Sequence, residues 1–275
     1  MPVLEVSSLP IALPEILLAT DFCEPARRAL AFARQIARRR SAPIHAAHVL
    51  DLTGPDPAIR RSFSTAHDSA KRSLREIRLE LRLAGIENSA TLISAGNAAD
   101  AIRGLVQLHQ PSLLVLGLNG ALSQDPAALG ATARSLLAAP PCPILTVSEL
   151  CLAPSAHAAE RVVIVIDTAP DSLRAALDAW PLGPRPTSGA LLTIRSKGTK
   201  TVPTPPAALQ HQFHPVQGID PKNAADAILR HAKETTAGLI VVAFGSGTRL
   251  ASLNRGALAC TLLTQASCPV LTVRS

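Results

Sequence analysis

Two short apolar runs, each closed by an aspartate, set the pattern of this chain: ILLATD at residues 16–21 and VVIVID at 162–167. Runs that are apolar throughout, rather than alternating, predict strands covered on both faces, as in a parallel sheet. After the first run, Pro25 stands where the opening turn of a helix tolerates proline, and Ala26, Ala29, Leu30, Ala33, Ile36 and Ala37 recur at helical spacing up to Arg38, Arg39 and Arg40. After the second, Leu173, Ala176, Leu177 and Trp180 repeat that spacing. Second strands follow at PIHAAHVL (43–50) and ALLTI (190–194). A long amphipathic helix is predicted over 64–84, with Leu74, Ile77 and Leu81 on one face and Gly85 as its stop. Its place in the second half is taken by SKGTKTVPTPPAAL (196–209), too short and too rich in proline for a helix. Third strands, SATLIS (89–94) and QHQFHPV (210–216), precede a further helix in each half. The most apolar strands, LLVLG and LIVVA, and the closing strands PILTV and PVLTV complete the series.

The parallel between the halves is a register, not an impression. The hexapeptide NAADAI occurs at 97–102 and again at 223–228, and the same interval of 126 residues joins Leu116 to Val242, Gly130 to Gly256 and Cys142 to Cys268. A fixed offset sustained over this span is the mark of an internal duplication. Upstream the offset becomes 146, linking Asp21 to Asp167, so the second copy is shorter through its middle. Asn97 and Asn223 are placed to cap helices, with Asp100 and Asp226 in the first turn, and the hexapeptide is therefore a helix start. Strands alternating with helices predict an α/β fold of two tandem doubly wound, Rossmann-like five-stranded parallel-sheet domains, residues 1–150 and 151–275, the second lacking one helix. ELCLAPSAHAAER (149–161) reads as the linker. The apolar strands PILTV and PVLTV would be exposed at sheet edges, so the halves are expected to pack there as an intramolecular pseudo-dimer.

Hydrophobic residues make up 47% of the chain and aromatic ones 2%, so its cores must be built from Ala, Leu, Ile and Val. No apolar run reaches a membrane span and the apolar start lacks a basic region, which together suggest a cytoplasmic protein. Five cysteines without a C-x-x-C pair form neither a disulfide framework nor a zinc pattern. The net charge of +7 raises nucleic acid as a partner. However, the basic residues cluster at a helix end and along an outer face interleaved with acids, and no tyrosine is present to build a base-stacking platform. Specific nucleic-acid binding is not expected, and no protein partner is identified.

The chemistry-bearing pattern is Gly117, Gly120 and Gly130, spaced G-x2-G-x9-G, with the first glycine closing the fourth strand. Glycines at the carboxyl end of a central strand admit a ligand close to backbone amides, and the helix after Gly130 would turn its positive end into the same crevice. Turn residues and a helix cap would leave the same spacing. Taken with ILLATDFCEPARRALAFA, HVL ending strand two, the GNAADAI helix start and the terminal PCPILTV, the first half resembles a universal stress protein domain, and the second half resembles it more distantly. The resemblance implies that ATP or another adenine nucleotide, with Mg2+ as a companion ion, is bound by the first half. Thr20, Asp21 and Val49 would receive the adenosine part, and Leu116, Gly117, Gly120, Gly130, Ala131 and Thr132 the ribose and phosphates. Two positions depart from the family pattern: Ala131 replaces the small hydroxyl residue, although Thr132 follows, and the loop ALSQDPAAL carries Asp125 and no cation.

The second half departs further, with Ala243 and Ser246 at the positions of Gly117 and Gly120, and is read as a structural partner. His45 with His48, and His211 with His214, stand three apart on strands and so face opposite sides, which argues against metal pairs. No catalytic triad, zinc-protease or Walker pattern occurs, and neither a catalytic residue nor a metal ligand is assigned. Three readings result: a nucleotide-binding stress protein without enzymatic activity, an interaction module that binds no nucleotide, and a slow Mg2+-dependent ATPase using Asp21.

Overall fold

The computed structural model describes residues 15–50, 63–87, 89–120, 128–154, 161–166, 171–179, 188–194, 213–219, 223–244 and 257–274. Its first half runs β1 (Ile16–Ala19), α1 (Glu24–Arg40), β2 (Ile44–Leu50), α2 (Phe63–Leu83), β3 (Thr91–Ala95), α3 (Ala98–His109), β4 (Leu113–Gly117), α4 (Ala131–Ala138) and β5 (Ile144–Val147). The second half runs β6 (Arg161–Ile166), α5 (Ser172–Asp178), β7 (Ser188–Ile194), β8 (Phe213–Ile219), α6 (Ala224–Glu234), β9 (Leu239–Phe244), α7 (Ala257–Gln265) and β10 (Val270–Arg274). Among the described residues no helix is long and apolar enough to cross a membrane.

The strands form one sheet in the order β3-β2-β1-β4-β5-β10-β9-β6-β7-β8. Each half contributes five mutually parallel strands in the same spatial order, as the α/β pattern predicts. The halves meet at β5 and β10, which pair antiparallel: Val270 opposite Thr146, Leu271 opposite Leu145, Thr272 opposite Ile144. In the duplication register Leu145 corresponds to Leu271, so this residue faces its own counterpart and a pseudo-twofold axis passes between them. Two apolar layers run unbroken across the seam. One, beneath α1, α2 and α5, contains Leu145, Val147, Leu271 and Val273; the other, beneath α3, α4, α6 and α7, contains Ile144 and Val270. The buried Thr146 hydroxyl donates to the Val270 carbonyl at 3.1 Å and the Ser148 hydroxyl to the Ala266 carbonyl at 3.2 Å, so the seam buries no unpaired hydroxyl at these two positions.

Local sequence accounts for several helix ends. Pro25 lies in the first turn of α1, Glu24 precedes it, and Arg38, Arg39 and Arg40 occupy the last turn, matching the helix dipole at both ends. Gly85, at φ +75°, stops α2, and the Ile86 amide returns to the Leu81 carbonyl at 2.9 Å. Asn97 caps α3 by accepting from the Asp100 amide at 3.2 Å. Asn223 does not do the same: its backbone, at φ −115° and ψ 15°, lacks the extended conformation a capping side chain needs, and no cap bond forms. The strand expected at 210–216 is instead β8, starting at Phe213. It carries Pro215 in mid-strand, which its outermost position in the sheet permits. Trp180, His211 and the segment 196–209 lie outside the described residues.

Candidate functional site

The sheet order reverses between β1 and β4, because β1 leads outward to β2 and β3 whereas β4 leads to β5. The carboxyl ends of two such strands leave a crevice with no strand connection across it. A cavity of about 160 Å³ lies there. All nine residues singled out in the sequence line it: Thr20, Asp21, Val49, Leu116, Gly117, Gly120, Gly130, Ala131 and Thr132. His48, Asn119 and Ala98 line it as well, and sequence reasoning passed over them. His48 could have been found from its place beside Val49 at the end of strand two, whereas nothing in the sequence marks Asn119.

Two turns carry the chain from β1 into α1. The Thr20 hydroxyl accepts from the Phe22 amide at 3.0 Å, and the Asp21 carboxylate accepts from the Cys23 amide at 3.1 Å. Between them Phe22 takes a left-handed φ of 66°, unusual for a bulky residue. The Phe22 ring lies against that of His48, with centroids 4.6 Å apart. The His48 Nδ1 is 2.8 Å from the Thr20 carbonyl. A carbonyl oxygen only accepts, so Nδ1 carries the proton and a neutral His48 keeps its lone pair on Nε2.

The glycines have reasons of their own. A Cβ on Gly117 would lie 2.8 Å from the Pro25 carbonyl carbon and 2.9 Å from the Ala26 nitrogen, so this glycine lets α1 settle on β4. It faces the α1 layer, and its replacement by Ala243 in the second half bears on helix packing more than on phosphate approach. A Cβ on Gly120 would stand 3.1 Å from Asp21 Oδ2, which shows how closely the two loops meet across the crevice. A Cβ on Gly130 would lie 3.0 Å from the Leu118 carbonyl, which also accepts the Gly130 amide at 3.1 Å. Gly130 is the N-cap of α4 and has no side chain to satisfy the first amides of that helix. Those amides open beside the cavity, where Ala131 is exposed and Thr132 half-buried. Asp21 is the only acidic or basic residue other than histidine in the described lining, so anion affinity here would come from amides rather than from a cation.

Cys23 sits at the rim, with its Sγ 3.5 Å from the Asn119 carbonyl. Burial, followed by the Asp21 carboxylate, pushes its thiol up to about 12. Burial likewise raises Cys142 to about 11 and Cys268 to about 12, and none of these three is an activated nucleophile. In the second half Asp167, Gly245, Ser246, Gly247, Arg249, Arg255 and Gly256 lie outside the described residues, as does Asp125 in the first.

Comparison with known proteins gives a consistent result. Residues 14–148 match the model of the universal stress protein family. A universal stress protein of Thermus aquaticus is 29% identical over 133 residues, covering 48% of this chain and 96% of its own. The crystal structure of a universal stress protein from Archaeoglobus fulgidus superposes with a TM-score of 0.70 at 18% identity, covering 94% of this chain and 96% of that one. A structure from Pseudomonas aeruginosa UCBPP-PA14 covers 96% of this chain and 94% of its own, with a TM-score of 0.57 at 17% identity. At these identities the last two speak for the fold, over nearly the full length.

Proposed function

Because this chain belongs to the universal stress protein family through its first half, we propose that it is a cytoplasmic stress-response protein that binds ATP or another adenine nucleotide in the crevice between β1 and β4. The observation carrying this reading is the convergence of nine sequence-designated residues on one cavity at the topological switch point. The α4 amides would hold phosphate oxygens, with the Thr132 hydroxyl beside them. Val49 and the Thr20–Asp21 turn would face the adenosine part, and a Mg2+ ion would offset the Asp21 charge. The described walls enclose about 160 Å³, less than the ~300 Å³ at which ligand sites usually begin, so they hold one end of such a ligand. Five free thiols favour a reducing compartment. The second half acts as a structural partner, extending the sheet and covering the β5 edge.

Calorimetric titration of the nucleotide-stripped protein with ATP, with and without Mg2+, tests the proposal. Ala131→Asp is the informative variant: an acid in the first turn of α4 suits the helix dipole but repels phosphate. One saturable site per chain, weakened at least tenfold in the variant, is expected. Absence of binding at millimolar ATP would favour the interaction module, a reading supported by the small cavity and its lone aspartate. Mg2+-dependent phosphate release abolished by Asp21→Asn would instead establish the ATPase.

A further inference from the structure

We propose that Glu15, His45 and His109 form a binding site for one divalent transition-metal ion of the zinc class, at the end of the sheet opposite the crevice. Leu17 of β1 and Ala47 of β2 share the layer that packs against Ala99, Ile102 and Val106 of α3. Two residues back along each strand, on the same face, stand Glu15 and His45; one helical step beyond Val106 stands His109. The apolar stripes of three elements therefore end at one corner, and each ends in a metal-ligating side chain.

The donor atoms of these three half-buried residues all lie within 4.8 Å of one another. Glu15 Oε2 is 3.8 Å from His45 Nε2, too far for a hydrogen bond, and the imidazoles of His45 and His109 are tilted with centroids 5.5 Å apart. His45 Nδ1 is buried with no hydrogen-bond partner. The carboxylate faces the other ring nitrogen, Nε2, across a gap too long for a hydrogen bond, and a cation held between Nε2 and the carboxylate would bridge that gap. Donors about 2.1 Å from a tetrahedral ion are ~3.4 Å apart, so side-chain shifts of about 1 Å complete the set. The backbones are already fixed. The Glu15 carbonyl accepts from both the amide and the hydroxyl of Ser112, at 2.9 and 3.1 Å, and Gln110 ends α3 in the left-handed conformation with its amide on Val106. Two imidazoles with one carboxylate suit Zn2+, Co2+ or Ni2+ better than Mg2+ or Ca2+, and a three-ligand set leaves a fourth position for water.

The test uses the full chain, stripped with chelator and titrated with Zn2+ alone against a chromophoric competitor, then with Co2+ followed by visible absorption. The expected result is one equivalent bound, a melting temperature that rises until that equivalent is reached, and a Co2+ spectrum without a thiolate charge-transfer band. Glu15→Gln and His109→Asn should each weaken binding by about 100-fold or more, since losing even an outer-shell partner costs 10–100-fold. Cys260→Ser, which removes the exposed thiol, should leave binding unchanged. Melting of each variant in chelator checks its fold, and if His109→Asn fails to fold, the near-isosteric Glu15→Gln decides. No stoichiometric binding, undiminished binding in Glu15→Gln, loss of binding in Cys260→Ser, or a thiolate band would each overturn the assignment.

Discussion

Gly117→Ala separates packing from ligand binding as the reason for the first glycine of the loop. The added Cβ would stand 2.8 Å from the Pro25 carbonyl carbon, 2.9 Å from the Ala26 nitrogen and 2.9 Å from Pro25 Cβ. Two of these neighbours are backbone, so no side-chain rotation relieves the contact, and α1 must lift from β4. Overpacking of this kind costs about 1–3 kcal/mol. At ~2–4 °C per kcal/mol for a chain of a few hundred residues, the melting temperature should drop by about 2–12 °C. Gly104→Ala is the control: it lies exposed within α3, a Cβ there meets nothing within 4 Å, and a gain of about 0.5–1 kcal/mol is expected from helix propensity. Differential scanning calorimetry, with ATP titration of both variants, reads the outcome. If Gly117→Ala melts like the wild type yet loses nucleotide affinity, the packing explanation is wrong and the glycine serves the ligand.

Further predictions concern the seam, the thiols and the last glycine of the loop. Leu145→Ala, at the pseudo-twofold axis, should destabilise by about 2–5 kcal/mol and leave a single calorimetric transition, because both apolar layers cross the seam; two separated transitions would show that the halves unfold independently. Residues 1–150 expressed alone should self-associate through the uncovered β5 edge, and a concentration-independent monomer in sedimentation equilibrium would refute this. The exposed Cys260 should react rapidly with a disulfide reagent at pH 8, whereas burial pushes Cys23 and Cys268 from 9.0 up to about 12, leaving each about a thousandfold less thiolate than it would hold at its ordinary value; rapid labelling at Cys268 in the native protein would contradict its burial. Since those folded-state values are raised, the folded protein holds its thiol protons longer than the unfolded chain does. Their stabilising contribution is thus complete below pH 9.0 and is lost as pH rises toward about 12, which urea midpoints across that window would record. Gly130→Val, facing the Leu118 carbonyl at 3.0 Å, should lower stability as well as affinity, visible as a shifted melt without ligand.

What the sequence made legible was whatever is encoded locally. Asn97, Gly85 and Pro25 announce their helix ends because each acts on backbone within a few residues of itself. The crevice was legible because the residues after a central strand must converge at a switch point once the α/β order is known. Three things were not. Gly117 carries the same letter whether it makes room for phosphate or for α1, and only the position of Pro25 distinguishes the two. Asn223 repeats the letters of Asn97 in a backbone conformation that wastes them. Glu15, His45 and His109 come from three separate elements, and no spacing along the chain announces that their stripes share a corner.

The seam at Leu145 and Leu271 has a consequence for how the two copies can change. Because Leu145 faces its own duplicate, Leu271, a substitution at either position is met by the unmutated version of the same residue, whereas Ile144 and Thr146 each face the duplicate of the other. Away from this seam the strands of each copy pair within that copy. The residues of β5 and the start of β10, Ile-Leu-Thr-Val and Val-Leu-Thr-Val, are nearly identical, whereas Gly117 and Gly120 are answered by Ala243 and Ser246. The duplication thus binds the two copies together by the edge they share.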